Sequence, residues 1–76
     1  MTNFKTSDLG LSTALVSTGF ELQDLEFVND KAYFIFIQNK KIEKNVNDYW
    51  ANTLKVPART FFDNLKMLKN RLYSLK

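Results

Sequence analysis

The segment 24-DLEFVNDKAYFIFI-37 predicts a β-hairpin. Apolar and acidic residues alternate along its first half, and an apolar run forms its second half. Between the halves lie Asn29 and Asp30, which tolerate the positive φ angles of a two-residue turn. Such a turn builds one apolar face from residues that lie opposite each other, Phe27 with Ala32 and Leu25 with Phe34, and Phe36 extends it.

The opposite face of this hairpin is only half polar. It carries the carboxylates of Asp24 and Glu26 together with Tyr33, Ile35 and Ile37. A large exposed apolar patch usually marks an interface, so we interpret Tyr33, Ile35 and Ile37 as a candidate interaction surface. The two carboxylates are interpreted as a solvated edge that discourages strand-to-strand aggregation.

A helix is predicted before the hairpin. Thr6, Ser7 and Asp8 can accept the free backbone N–H groups of a first helical turn, and Gly19 can adopt the left-handed conformation that often follows a last turn. Between them runs a rough apolar stripe made of Leu9, Leu11, Ala14, Leu15 and Val16. Gly10 weakens this predicted helix, because Gly inside a helix lowers its stability by about 1 kcal/mol relative to Ala.

Two further helices are predicted after the hairpin. Asn39 can cap the first, which ends near Asn52, and its apolar face consists of Ile42, Val46, Tyr49 and Trp50. Pro57 starts the second, since a first helical turn does not need the N–H group that proline lacks. The second helix has the clearest apolar stripe in the chain: Ala58, Phe61, Phe62, Leu65, Leu68, Leu72 and Leu75.

The link between these two helices is predicted to be extended, because a residue before proline is pushed out of the α region. Residues 54–56 are therefore a candidate third strand, beside Phe4 and Lys5. Aromatic residues at helical spacing are usually buried, so we expect Trp50 to lie chiefly in the core. The prediction is a single α+β domain over residues 1–76, in the order α-β-β-α-α, with an antiparallel hairpin packed against three helices.

Composition argues against an enzyme. The 76 residues include no cysteine and no histidine, which removes disulfides, thiolate zinc sites and the usual general base. Asp24 and Glu26 share a strand face, but a hard divalent cation takes about six oxygen ligands, and a single hairpin cannot supply that many. We therefore expect no catalytic activity, cofactor, metal site or small-molecule substrate.

Charge is divided unequally between the two halves of the chain. Residues 1–38 hold two lysines against five carboxylates, a balance of −3, and residues 39–76 hold nine cations against three carboxylates, a balance of +6. Such a division suggests a polyanionic partner or pairing between copies. The cations on the outer faces of the last two predicted helices and on the link between them are candidate nucleic-acid contacts: Lys40, Lys41, Lys44, Lys55, Arg59, Lys66 and Lys69.

The sequence leaves two functions open. One is contact with DNA or RNA, directed at backbone phosphate and without sequence preference, because lysine outnumbers arginine nine to two and base recognition relies on arginine. The other is a protein-interaction module that binds itself or another protein. No apolar stretch approaches the roughly 20 residues that span a bilayer, and no signal peptide is visible, so we expect a cytoplasmic protein that does not bind membranes.

Short motifs follow one another between residues 4 and 73: Phe4-Lys5-Thr6-Ser7-Asp8-Leu9, Gly19-Phe20, Tyr33-Phe34-Ile35-Phe36, Val46-Asn47-Asp48-Tyr49-Trp50, Leu54-Lys55-Val56, Arg59-Thr60-Phe61-Phe62 and Leu65-Lys66-Met67-Leu68-Lys69. In combination they resemble a family of short bacterial and phage-borne proteins that is catalogued only as a domain of unknown function. Asn52 stands where other members have Gly, which preserves the turn, and Gly10 stands where a larger residue is expected. The resemblance implies a fold and a bacterial or mobile-element setting, and it implies no activity.

Overall fold

A computed structural model describes residues 2–75 and shows one three-stranded antiparallel sheet with three helices. In chain order the elements are β1 (Asn3–Thr6), α1 (Leu9–Ser17), β2 (Asp24–Val28), β3 (Lys31–Ile37), α2 (Lys40–Trp50) and α3 (Ala58–Ser74). The predicted α+β class is confirmed. The predicted order is matched apart from β1, a strand that precedes the first helix.

The hairpin of β2 and β3 forms with the predicted register. Asn29 and Asp30 have φ angles of 52° and 67°, the positive values that a two-residue turn of this kind requires. The apolar residues pair as expected, Leu25 with Phe34 and Phe27 with Ala32. Local sequence is sufficient here, because both the turn and the alternation of side chains specify the same pairing.

The third strand lies at a different place from the predicted one. Residues 54–56 form no strand, and β1 pairs antiparallel with β3 instead, which makes β3 the central strand in the order β1-β3-β2. Phe4 lies opposite Phe36 and is partly buried against the core, whereas Leu54 and Val56 line a groove between helices. The predicted strand at 54–56 is therefore wrong, because β1 occupies the free edge of β3 while Leu54 and Val56 line a groove between helices.

One apolar core joins the sheet to all three helices. Its fully buried residues come from every layer: Leu11 and Leu15 of α1, Phe34 and Phe36 of β3, Ile42 of α2, and Leu68 of α3. Partly buried residues such as Phe4, Phe20 and Tyr49 pack around this cluster. The helices therefore cover one face of the sheet.

Helix α1 is the most buried element of the described chain. Leu11–Leu15 are all buried, including Ser12 and Thr13, which lie outside the predicted apolar stripe. The Ser12 hydroxyl donates to the carbonyl of Asp8 at 2.8 Å, and the Thr13 hydroxyl donates to the carbonyl of Leu9 at 2.7 Å. These bonds within the helix satisfy both hydroxyls, so that the helix can be buried on several sides without an unpaired polar group.

Side-chain hydrogen bonds join α1 to its two neighbours. The Asn45 amide on α2 donates to the Thr18 hydroxyl at 3.1 Å, and the Asn64 amide on α3 donates to the Ser17 hydroxyl at 2.9 Å. Both acceptors lie at the C-terminal end of α1. Because α1 contacts both α2 and α3, it is the central helix of the layer.

The predicted helix boundaries are confirmed where a capping residue defines them. Asp8 and Asn39 are N-caps, and each side-chain oxygen accepts a backbone N–H three residues later at 2.8 Å. Gly19 and Asn52 follow the first two helices with φ angles of 103° and 61°. Pro57 directly precedes the third helix, where its missing N–H costs nothing.

Candidate nucleic-acid interface

Trp50 lies on the surface, with 63% of its area exposed. The prediction that it belongs chiefly to the core is therefore wrong. At about 100° of rotation per residue, Tyr49 falls within roughly 20° of the buried Ile42 around α2, whereas Trp50 falls about 80° away. Trp50 thus sits at the margin of the apolar face. Its ring meets that of Tyr49 edge to face, with centroids 5.1 Å apart and planes at 81°.

A groove lies where α2, the link and α3 meet over α1. Its volume is about 430 Å³, and it is lined by Ala14, Tyr49, Trp50, Asn52, Leu54, Val56 and Phe61. Ala14 is buried, and the aromatic rings come from two different helices. The aromatic residues where the two helices meet therefore form an open groove rather than a closed core. We refer to this feature as the aromatic groove.

Tyr49 is fitted closely against α1. A Cβ atom at Gly10 would come within 2.6 Å of the Tyr49 hydroxyl oxygen, which is closer than side chains normally approach. The missing side chain of Gly10 therefore leaves room for the Tyr49 hydroxyl, which explains why position 10 does not hold a larger residue. Partial burial raises the pKa of the Tyr49 phenol, and the negative charge of Asp8 raises it further.

An exposed stripe of cations and aromatic rings runs along α3. Arg59, Phe62, Lys66, Lys69 and Tyr73 recur at intervals of three and four residues, so they share one side of the helix. All five are exposed, and we call them the α3 stripe. The Lys66 ammonium nitrogen lies 5.2 Å from the centroid of the Phe62 ring, which is within the range of a cation–π interaction.

The exposure of Phe62 shows that one residue of the predicted apolar stripe of α3 does not belong to the buried face. It is 56% exposed, whereas Leu68 is fully buried and Phe61, Leu65 and Leu72 are half-buried. Phe62 lies one residue beyond Phe61, about 100° around the helix, and so turns away from the core. The spacing of Phe62 and Tyr73 with the three cations was the sequence signal that could have identified an exposed mixed stripe.

The seven candidate nucleic-acid contacts are all exposed, but they divide between elements. Arg59, Lys66 and Lys69 lie together on the α3 stripe, and Lys55 lies on the link between two groove residues. Lys40, Lys41 and Lys44 lie on α2, where the Lys44 ammonium forms an ion pair with Asp48 at 2.8 Å. Lys76, which contributes to the C-terminal charge, lies outside the described residues.

Arg59 is held loosely. Its Nε lies 4.0 Å from Oδ2 of Asp63, and 95% of the Arg59 side chain is exposed. Exposed ion pairs of this kind contribute little to folding, on the order of 0–1 kcal/mol. The guanidinium group is therefore accessible to an anionic ligand.

The candidate interaction surface on the sheet is smaller than predicted. Ile35 is only 3% exposed, so it offers almost no contact area, while Tyr33 is half-buried and Ile37 is exposed. Ile35 lies on the central strand, where neighbouring side chains from both edge strands surround it. Beside it the Lys5 ammonium forms an ion pair with Glu26 at 3.3 Å across this outer face.

Neither a metal-binding cluster nor a membrane-spanning helix is found in the described part of the chain. Within residues 2–75, no group of three or more acidic, histidine or cysteine side chains is placed to hold a metal ion. The helices in the same range are too short or too polar to cross a bilayer.

Comparison with known proteins yields one finding. A family model described as a domain of unknown function (DUF5659) matches residues 1–74. Neither the curated proteins nor the solved structures contain a significant match to the chain. The matched family carries no activity in its description, so inference about function rests on the surface described above.

Proposed function

Because the chain belongs to the DUF5659 family, whose function is unknown, its role has to be inferred from its surface, and we propose that it is a non-enzymatic accessory module that binds the backbone of nucleic acid. The α3 stripe carries the proposal. It presents three cations and two aromatic rings side by side on one helix. This combination suits a nucleic-acid strand, whose phosphates attract cations and whose bases stack on aromatic rings.

The distribution of charge supports the same surface. Helix α3 contains Arg59, Lys66, Lys69 and Arg71 but only one carboxylate, Asp63. The carboxylates of Asp24 and Glu26 lie on the outer face of the hairpin, opposite the face that packs against the core. A polyanion approaching the molecule is thus attracted to the helices and repelled by the hairpin.

The proposed contact is with backbone phosphate and lacks sequence preference. Two of the three cations on the stripe are lysines, which act as point charges, whereas reading base edges relies on the planar fork of arginine. Binding by phosphate contacts releases counterions, so the affinity should fall steeply as salt is added. A cytoplasmic setting in a bacterium or a phage-infected cell belongs to the same proposal.

The test is a pair of variants with the same change in net charge. Lys66→Gln with Lys69→Gln removes two cations from the α3 stripe, and Lys5→Gln with Lys31→Gln removes two from the sheet. Fluorescence anisotropy would follow binding to labelled DNA between about 50 and 200 mM salt. We expect the stripe variant to bind more weakly and to lower the log–log salt slope by roughly 1.4 to 1.8, with little change for the sheet variant.

Two results would contradict the proposal. If the natural protein shows no salt-dependent binding to DNA or RNA, the proposed function is wrong. If both variants weaken binding equally, attraction is due to net charge alone and the α3 stripe is not the contact surface. Circular dichroism of each variant would confirm that the helices remain folded.

A second candidate is an assembly module that uses the hairpin. The observation in its favour is that, on the outer face of the hairpin, Val28 and Ile37 are exposed and Tyr33 is half-buried. This candidate predicts a dimer, whose mass near twice 8.9 kDa appears as the concentration rises. DNA should not change the amount of dimer, and Ile37→Lys should abolish dimer formation. A single mass of 8.9 kDa across the concentration range would exclude self-assembly.

A further inference from the structure

We infer that the aromatic groove accepts an unpaired base, so that this protein binds single-stranded nucleic acid in preference to duplex. The inference rests on the proposed function and names the class of nucleic acid that the surface would take. Bases inside a duplex are already stacked on their neighbours and cannot enter a groove. Only an unpaired strand can place a base against aromatic side chains.

The walls of the aromatic groove supply the stacking surfaces. Tyr49 and Trp50 come from α2, and Phe61 comes from α3. The volume of about 430 Å³ lies within the range of roughly 300–1,000 Å³ that is usual for small-ligand pockets. Trp50 is 63% exposed, so a ligand can cover its indole without displacing another side chain.

The groove is also held in shape. Tyr49 packs against the core and fits into the space left by Gly10, and its edge-to-face contact positions the ring of Trp50. A stacking site needs such a fixed aromatic partner, because ordering a mobile ring would subtract from the affinity. The groove thus offers an aromatic surface that is formed before any ligand arrives.

Charge complementarity identifies a nucleotide rather than a neutral peptide as the occupant. Residues 52–61, which supply four of the groove-lining residues, carry Lys55 and Arg59 and no carboxylate. The Arg59 side chain is 95% exposed. None of the described residues that line the groove is acidic. The segment that borders the groove is therefore positively charged, which favours an occupant that carries phosphates.

Helix α3 takes part in both the groove and the α3 stripe. Phe61 lines the groove, and Phe62, about 100° further around the helix, belongs to the stripe. A flexible single strand with one base in the groove can turn through this angle to reach the exposed side of α3, whereas a rigid duplex cannot.

The test uses the full chain, in which Trp50 is the single tryptophan. Anisotropy and Trp50 emission would be recorded during titration with a labelled 12-nucleotide single strand, the matching duplex, and an abasic strand of equal length. We expect the single strand to bind more tightly than the duplex and to change Trp50 emission. We expect the abasic strand, which keeps the phosphates, to leave the emission unchanged.

Substitution of Trp50 separates stacking from charge. We expect Trp50→Ala to weaken single-strand binding by about 5- to 150-fold, the loss of one base–aromatic contact, and to leave duplex binding unchanged. Trp50→Phe should retain most of the affinity. Phe27→Ala is the matched control, because Phe27 is a partly exposed aromatic residue on the hairpin, which contributes no residue to the groove.

The possible results distinguish the two proposals. Equal binding of single strand and duplex, with Trp50 emission unmoved, would overturn this inference and leave the proposed function standing. No binding of any nucleic acid would overturn both. An equal loss of affinity in Trp50→Ala and Phe27→Ala would also contradict a role for the groove.

Discussion

Gly10 and Tyr49 show how one side chain can determine the identity of a residue on another helix. From sequence alone Gly10 is a flaw in α1, because glycine weakens a helix. In the folded protein it lies under the Tyr49 hydroxyl, where a Cβ atom would come within 2.6 Å. The cost in helix propensity is thus linked to the position of Tyr49, and through Tyr49 to the aromatic groove.

A double-mutant cycle tests this fit. Gly10→Ala should give no gain in stability in the natural protein, because the methyl group meets the Tyr49 hydroxyl. In a Tyr49→Phe background the hydroxyl is gone, and the atoms nearest to a Cβ at residue 10 are Asp8 Oδ1 at 3.3 Å and the ring carbon Cζ at 3.7 Å. Gly10→Ala should therefore be less costly in that background and recover part of the roughly 1 kcal/mol of helix propensity. Urea unfolding measures both differences. Equal effects in the two backgrounds would show that the two residues do not interact.

Tyr49 also predicts a dependence of stability on pH. Burial and Asp8 raise the pKa of its phenol above the ordinary value of 10.0, so the folded protein holds the proton more tightly than the unfolded chain does. This contribution is complete below about pH 10 and is lost as the pH rises through the raised pKa. We expect the stability difference between the natural protein and Tyr49→Phe to decrease from pH 9 to pH 11. Parallel curves in urea unfolding would contradict this.

Trp50 and Phe62 mark the limit of sequence reasoning at the scale of single residues. Both were assigned to apolar helical stripes, and both are more than half exposed. The spacing of apolar residues identified the buried face of each helix. It could not define how far around the helix the neighbouring elements cover that face. Residues at the margin of a stripe are therefore decided by tertiary contacts.

At the scale of elements, β1 is the part that sequence reasoning assigned wrongly. Phe4 and Lys5 were recognised as a possible partner for a strand, but the strand itself was placed at residues 54–56. A four-residue strand carries too few alternating positions to stand out from the background. Its pairing with β3 depends on the open edge that the hairpin presents, which only the assembled sheet supplies.

Substitutions on the two faces of β1 test this assignment. Phe4→Ala should destabilise the protein by about 2 kcal/mol, because the ring is partly buried against the core and lies opposite Phe36. Lys5→Ala is the matched control on the outer face, where its exposed ion pair with Glu26 should be worth less than about 1 kcal/mol. Chemical denaturation of both variants gives the comparison. If the two variants lose similar amounts of stability, Phe4 does not pack against the core and the assignment of β1 to the sheet is contradicted.

The helix boundaries, in contrast, were predictable because capping is local. Asp8 and Asn39 accept N–H groups from residues only three positions away, and Gly19 and Asn52 adopt positive φ angles at the helix ends. Such interactions involve neighbours in sequence and hardly depend on the rest of the fold. The hairpin turn was predictable for the same reason.

At the scale of the whole molecule, α1 organises the domain. It contacts α2 and α3, contributes Leu11 and Leu15 to the core beneath the sheet, and buries Ser12 and Thr13 as well. Because one cluster of buried residues is shared by the sheet and all three helices, no element has a core of its own. The described chain is thus a single cooperative unit in its packing.

Cooperative unfolding is the expected consequence. Near-ultraviolet circular dichroism, which reports aromatic packing, and far-ultraviolet circular dichroism, which reports helices, should give coincident transitions in urea. Asn64→Ala removes a hydrogen bond between α3 and α1 and should lower the midpoint without separating the two transitions. Transitions that separate in the natural protein would show that one layer unfolds independently.

The sequence by itself determined the α+β class, the hairpin and its register, the helix caps and the unequal distribution of charge. These features depend on turn chemistry, on alternation and on residue counts, all of which act over a few positions of chain. Tertiary structure alone decided that β1 completes the sheet, that α1 is buried on several sides, and that Trp50 and Phe62 face outward. Each of these depends on which surfaces distant segments cover, and that is settled only when the elements pack together.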